Sequence, residues 1–79
     1  MNCYATITVI GRDKTGVVAR VTNLLFETRA NIEALEEQVT RGQFSMTIQA
    51  SWRATVFNEK SLGQGLRALG RDLGMEIKW

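Results

Sequence analysis

Cys3-Tyr4-Ala5-Thr6-Ile7-Thr8-Val9-Ile10, followed by Gly11-Arg12-Asp13-Lys14-Thr15-Gly16-Val17-Val18, decides the fold of this chain. The first eight residues are rich in β-branched and aromatic side chains, and Ala5, Ile7 and Val9 alternate onto one face, as in a half-buried strand. From Val17 the period changes, with Val17, Val18, Val21, Leu24, Leu25 and Thr28 recurring at helical spacing. Between the two patterns lies a polar, glycine-bounded loop. A strand therefore turns into an amphipathic helix whose first backbone N–H groups face that loop and lack intrahelical acceptors.

Working outward, the helix is predicted from near Gly16 to about Arg29, with Ala30-Asn31 as a turn in which Asn tolerates the left-handed conformation. Ile32 to Thr40 and Gln43 to Trp52 read as two strands joined by a hairpin turn at Arg41-Gly42. A two-residue turn sets Val39 opposite Phe44, Glu37 opposite Met46 and Leu35 opposite Ile48, with Gln38, Glu36 and Ala34 opposite Ser45, Thr47 and Gln49. Two residues resist this register. Glu37 falls on the apolar face, and Ile32 has the wrong parity relative to Leu35 and Val39. A bulge or an edge position resolves both, and an edge also suits Glu33, Glu36 and Glu37, which discourage uncontrolled pairing of an open strand.

Arg53 to Phe57 reads as a connector, and Asn58 as the N-cap of a second helix that buries Leu62, Leu66, Leu69 and Leu73 and stops at Gly74. Gly63, Gly65 and Gly70 lie within it, each about 1 kcal/mol less favourable than Ala, which implies either a weak helix or a close neighbour. Met75 to Trp79 alternates once more, as a short last strand with Met75, Ile77 and Trp79 inward. The order β-α-β-β-α-β calls for an α+β, ferredoxin-like sandwich: a four-stranded antiparallel sheet with both helices on one face. The bare face then carries Thr6, Thr8, Ser45, Thr47 and Gln49, polar as a solvated face should be.

At 79 residues the chain is expected to be one domain, small enough that association with a second copy or a larger polypeptide would help it bury a core. With 44% apolar and 23% charged residues, and neither a long apolar run nor a signal peptide, it reads as a soluble, cytoplasmic protein without a membrane segment. One cysteine, Cys3, gives no intrachain disulfide, and without histidine no metal site or cofactor is expected. Ten basic and eight acidic residues leave a net charge of +2 with no basic cluster, so nucleic acid is not an expected partner.

The strand, the run from Gly11 to Val21 and Ala30-Asn31-Ile32 together resemble the ACT domain family, over nearly the whole of residues 1–79. They look closest to small stand-alone ACT proteins and to the amino-terminal ACT modules of glycine-cleavage repressor and formyltetrahydrofolate deformylase. The family loop usually reads Asp, any residue, Pro, Gly; here Thr15 stands in the proline position, which frees its φ. The resemblance implies a non-catalytic regulatory domain that binds a small molecule, often an amino acid, at an interface between two domains, most simply in a homodimer. It carries the binding role to Asp13, Thr15, Gly16 and Val17 of one domain and Asn31 and Ile32 of its neighbour. Such a ligand's carboxylate suits helix N-terminal N–H groups, and its ammonium suits Asp13 or the Asn31 side-chain oxygen.

Plainer roles exist for the same residues. Gly11 and Gly16 serve a turn, Asp13 or Thr15 caps the helix, Asn31 is a left-handed turn residue, and Arg12 and Lys14 are solvated charges. Cys3 is a small semi-buried residue with no base to activate it. RNA-binding domains of this order stack bases on sheet aromatics, and only Tyr4 is placed to do so. Metal chaperones need paired cysteines, acid–base or nucleophilic catalysis a histidine or a carboxylate pair, and Arg12 with Gly16 only faintly echoes a phosphate loop. The serious rival is an assembly module that pairs edges without a ligand.

Overall fold

The computed structural model describes residues 1–79, in the order β1 (Asn2–Arg12), α1 (Val17–Glu27), β2 (Asn31–Thr40), β3 (Gln43–Arg53), α2 (Glu59–Leu73) and β4 (Glu76–Lys78). The strands form one antiparallel sheet in the order β2-β3-β1-β4. The two βαβ crossovers interleave, each skipping a strand: α1 carries the chain from β1 past β3 to β2, and α2 carries it from β3 past β1 to β4. This is the ferredoxin-like sandwich that the element order demands.

Alternation in the central strands decides which face the helices cover. Ile7 and Val9 of β1 and Phe44, Met46, Ile48, Ala50 and Trp52 of β3 point into the core against Val17, Val21 and Leu25 of α1 and Leu62, Leu66, Leu69 and Leu73 of α2. Thr6, Thr47 and Gln49 are exposed and Thr8 and Ser45 half-buried on the opposite face, which is bare as expected. Tyr4 and Ile10 join them there.

The hairpin closes as the register requires: Val39 pairs with Phe44, Glu37 with Met46 and Leu35 with Ile48. Arg41 (φ 53°) and Gly42 (φ 78°) both take positive φ, the signature of the two-residue turn whose twist matches that of its strands. The register shifts between Ile32 and Ala34, so Ile32 returns to the helix-side face opposite Ala50. The bulge resolves its parity. Glu37 keeps the helix-side parity but is exposed, because β2 is an edge strand that the helices do not reach over.

Several boundaries differ from the sequence reading. β1 continues through Gly11 and Arg12, which pair with Phe44 and Gln43, and this shortens the loop to Asp13–Gly16. Neither Asp13 nor Thr15 caps α1; Gly16 takes the N-cap in a left-handed conformation (φ 86°) with no side-chain cap. The left-handed residue after α1 is Arg29 (φ 67°), and Asn31 is already in β2. The helix ends two residues earlier than expected, at Glu27, and closes with Arg29 N–H donating to Phe26 O (2.9 Å) and Ala30 N–H to Leu25 O (3.0 Å). Trp79 is largely outside the core, its ring 5.2 Å from the Arg67 guanidinium carbon. The glycines of α2 mark close neighbours: a Cβ on Gly65 would stand 2.9 Å from Leu24 Cδ1, and one on Gly70 3.1 Å from the Met75 carbonyl oxygen.

Candidate functional site

The β1–α1 turn is built by a conflict of directions. The strand must reverse into a helix within four residues, and Gly16 in the left-handed conformation makes that reversal without steric cost. The turn is tied to the hairpin, since Asp13 N–H donates to Gly42 O at 2.8 Å. Arg20 N–H is the first donor of α1 to find a helical acceptor, Gly16 O at 3.0 Å; the N–H groups of Val17, Val18 and Ala19 have no partner within the chain. With Gly16 lacking a side chain, that row of donors is open to a ligand oxygen and carries the positive end of the helix dipole. Asp13, Thr15 and Gly16 are exposed here, and Val17 is buried beneath them.

Asn31 and Ile32 are elsewhere. Asn31 pairs with Ser51, and Ser51 pairs on its other side with Tyr4, near the start of β1. Asp13 lies nine residues further along the chain than Tyr4, a span of roughly 30 Å at strand rise. The structure thus brings Asp13, Thr15, Gly16 and Val17 together at one end of the sheet and leaves Asn31 and Ile32 at the other.

The edge between those ends is bare. Ile32 (38% exposed), Leu35 (37%) and Val39 (52%) form an apolar stripe on the helix side of β2. The flank of α1 facing away from α2 adds Phe26, 77% exposed. The other flank meets α2 through Leu24 against Gly65 and through an exposed ion pair, Arg20 to Asp72 at 3.1 Å.

At the Asn31 end lies a concavity of about 540 Å³ that sequence reasoning missed, lined by Asn2, Arg29, Asn31, Glu33, Ser51, Trp52, Arg53 and Val56. Ser51, only 3% exposed, donates from Oγ to Glu33 Oε2 at 2.7 Å. Trp52 forms part of its wall, fixed by a 3.1 Å hydrogen bond from Nε1 to Thr28 Oγ1 and by its packing on Phe57, with ring centroids 5.1 Å apart. Neither Arg29 nor Arg53 has a carboxylate within ion-pair distance. No sequence motif marks this place, because its residues come from three separate stretches that the β1–β3 and β2–β3 pairings align.

No cluster of three or more metal-ligating side chains occurs, and no helix is long and apolar enough to cross a membrane. An interleaved βαββαβ sandwich, with an uncapped first helix and an open edge strand, defines a ferredoxin-like α+β domain. Residues 4–79 match the family model of the ACT domain, and the chain belongs to the ACT domain family. A UPF0237 protein of Methanosarcina mazei is 35% identical over 72 residues, covering 91% of this chain and 78% of that protein. An ACT domain protein from Streptococcus pneumoniae, 29% identical, superposes with a TM-score of 0.81 over 95% of this chain and 84% of its own. A formyltetrahydrofolate deformylase from Pseudomonas putida superposes with a TM-score of 0.85 at 23% identity, a likeness of fold alone; it covers 96% of this chain but 28% of that enzyme. ACT domains are typically regulatory, commonly dimerise and bind small ligands.

Proposed function

We propose that residues 1–79 act as a non-catalytic regulatory domain of the cytoplasm that binds a small molecule, an amino acid, between two copies of the chain. The observation that carries this reading is the separation of Asn31 from the Asp13–Gly16 turn, together with the bare β2 edge that connects them. Two β2 strands paired antiparallel about a two-fold axis set the Asn31 end of one chain beside the Thr40 end of the other. The turn travels with that end, because Asp13 is bonded to Gly42 in the hairpin. The ligand's carboxylate then meets the free N–H groups of Val17 and Val18 of one copy, with Asp13, Thr15 and Gly16 around it. Its ammonium meets Asp13 or the Asn31 side-chain oxygen, and Ile32 of the second copy supplies an apolar wall. Ile32, Leu35 and Val39 gain the cover they lack in one chain.

The test is a thermal-shift screen of amino acids with calorimetry, alongside light scattering. A ligand at 100 times its dissociation constant stabilises the folded state by about 2.7 kcal/mol. The reading expects a dimer, a positive shift with at least one amino acid, and loss of the shift in Asn31→Ala. A dimer that no amino acid shifts at millimolar concentration gives the case to a pure assembly module, the second reading, which the exposed apolar stripe of β2 favours. A strict monomer at high concentration overturns the shared site.

A further inference from the structure

Both helices end in the same way. At α1, Arg29 N–H bonds Phe26 O and Ala30 N–H bonds Leu25 O; at α2, Gly74 N–H bonds Arg71 O (3.4 Å) and Met75 N–H bonds Gly70 O (3.0 Å). This close requires a left-handed residue, and α2 uses Gly74 at φ 65°. α1 uses Arg29 at φ 67°, where a Cβ is disfavoured and glycine would be easier. The close thus fixes where the Arg29 side chain leaves the backbone. The side chain so placed lines the 540 Å³ concavity, together with Arg53 from the end of β3.

We infer that this concavity is the part of the ligand site that selects a dicarboxylic amino acid, of the aspartate or glutamate type. The inference rests on the amino-acid reading above and names the class. The charges decide it. Arg29 and Arg53 offer two guanidinium forks without carboxylate partners, each suited to planar, bidentate binding of a carboxylate. Glu33, displaced by the bulge, is held by Ser51 Oγ and pairs with neither arginine. The three charged side chains sum to one positive charge, and the side-chain carboxylate of a dicarboxylic amino acid carries one negative charge. The α-carboxylate and ammonium keep the partners given above and the side-chain carboxylate meets Arg29 and Arg53, so the amide analogue keeps the shape and loses the charge that the arginines answer. Asn31 lines the concavity too, which joins it to the shared site. The volume is within the range of small-molecule pockets.

The experiment is calorimetry on the whole chain with glutamate, aspartate, glutamine and asparagine, repeated on Arg53→Gln and Arg29→Gly. The acids are expected to bind the wild-type chain at least about tenfold more tightly than their amides, the size of one charge-assisted hydrogen-bonded pair. In either variant that preference disappears. Arg29→Gly also raises the thermal midpoint without ligand, so its lost preference cannot come from misfolding. Equal binding of acids and amides by the wild-type chain overturns the inference and leaves the amino-acid reading standing, as does a preference that survives both substitutions. Silence towards all four, with a shift by some other amino acid, also overturns this inference alone. Silence towards every amino acid overturns both.

Discussion

Asn31 and Asp13 stand at opposite ends of the sheet, Asn31 level with Tyr4 through Ser51 and Asp13 one residue beyond Arg12, which pairs with Gln43. One chain cannot bring them to one ligand. A pair of chains joined at β2 can. Leu35→Asp and Val39→Asp place a carboxylate on the apolar stripe, at positions already exposed in the single chain. Light scattering should show the wild-type chain as a dimer and both variants shifted towards monomer, with circular dichroism unchanged. Variants that stay dimeric at micromolar concentration would place the joint elsewhere.

Trp52 is fixed to α1 through one oxygen. Its Nε1 donates to Thr28 Oγ1 at 3.1 Å, and the same hydroxyl donates to Leu25 O at 2.7 Å, so Thr28 relays between β3 and the last turn of the helix. Thr28→Val keeps the shape and removes both bonds, leaving the buried indole N–H unpaired. The expected loss is about 1–3 kcal/mol. Calorimetry of the ligand-free chain should show the midpoint fall by roughly 4–8 °C per kcal/mol, and an unchanged midpoint would contradict the relay.

The two helix ends give opposite substitutions with one physical cause. Arg29→Gly relieves a side chain held at φ 67° and should stabilise the fold by about 0.5–1 kcal/mol. Gly74→Ala imposes the same strain at φ 65° and should destabilise it by a similar amount. Urea unfolding, with its slope held constant, reads both. Shifts of the same sign would mean that contacts of the side chains, and not the backbone, govern these positions.

Asn58 starts α2 in extended conformation, and its side-chain oxygen accepts from Ser61 N–H at 3.0 Å. Asn58→Ala should cost about 1 kcal/mol, and Asn58→Gly only a few tenths. Amide exchange at Ser61 should rise in the Ala variant well before exchange at Leu66 does. No change at Ser61 would show that the cap contributes nothing.

Arg20 and Asp72 meet at 3.1 Å with about half or more of each side chain in solvent. Asp72→Asn should therefore move the midpoint by less than the equivalent of about 1 kcal/mol, and less still in high salt. A larger fall would make the α1–α2 seam depend on charge more than on the packing of Leu24 against Gly65.

Much of this protein was legible along the chain because its signals are local. The period of two in Cys3–Ile10 and the period of 3.6 from Val17 each report one element's burial, and Arg41-Gly42 dictates a turn that sets the whole β2–β3 register. Even the bulge was written in the mismatch of Ile32 with Leu35. Local signals failed where two conformations competed for one stretch. Asp13 and Thr15 are good capping residues, yet Gly16 takes the cap because the reversal from β1 needs a left-handed residue there. Asn31 suits a turn, yet the helix closes on Arg29, and only the full set of backbone hydrogen bonds decides which residue is left-handed.

The sequence by itself determined the element order, the hairpin register and the polar bare face, since each follows from the spacing of apolar side chains and from turn chemistry. Only the tertiary structure decided that α2's glycines admit neighbours, that β2 overhangs the helices, and that Arg29, Glu33, Ser51 and Arg53 share one concavity. Those facts depend on distances between segments far apart in the chain. Spacing along a strand cannot report them, because closing the sheet is what creates them.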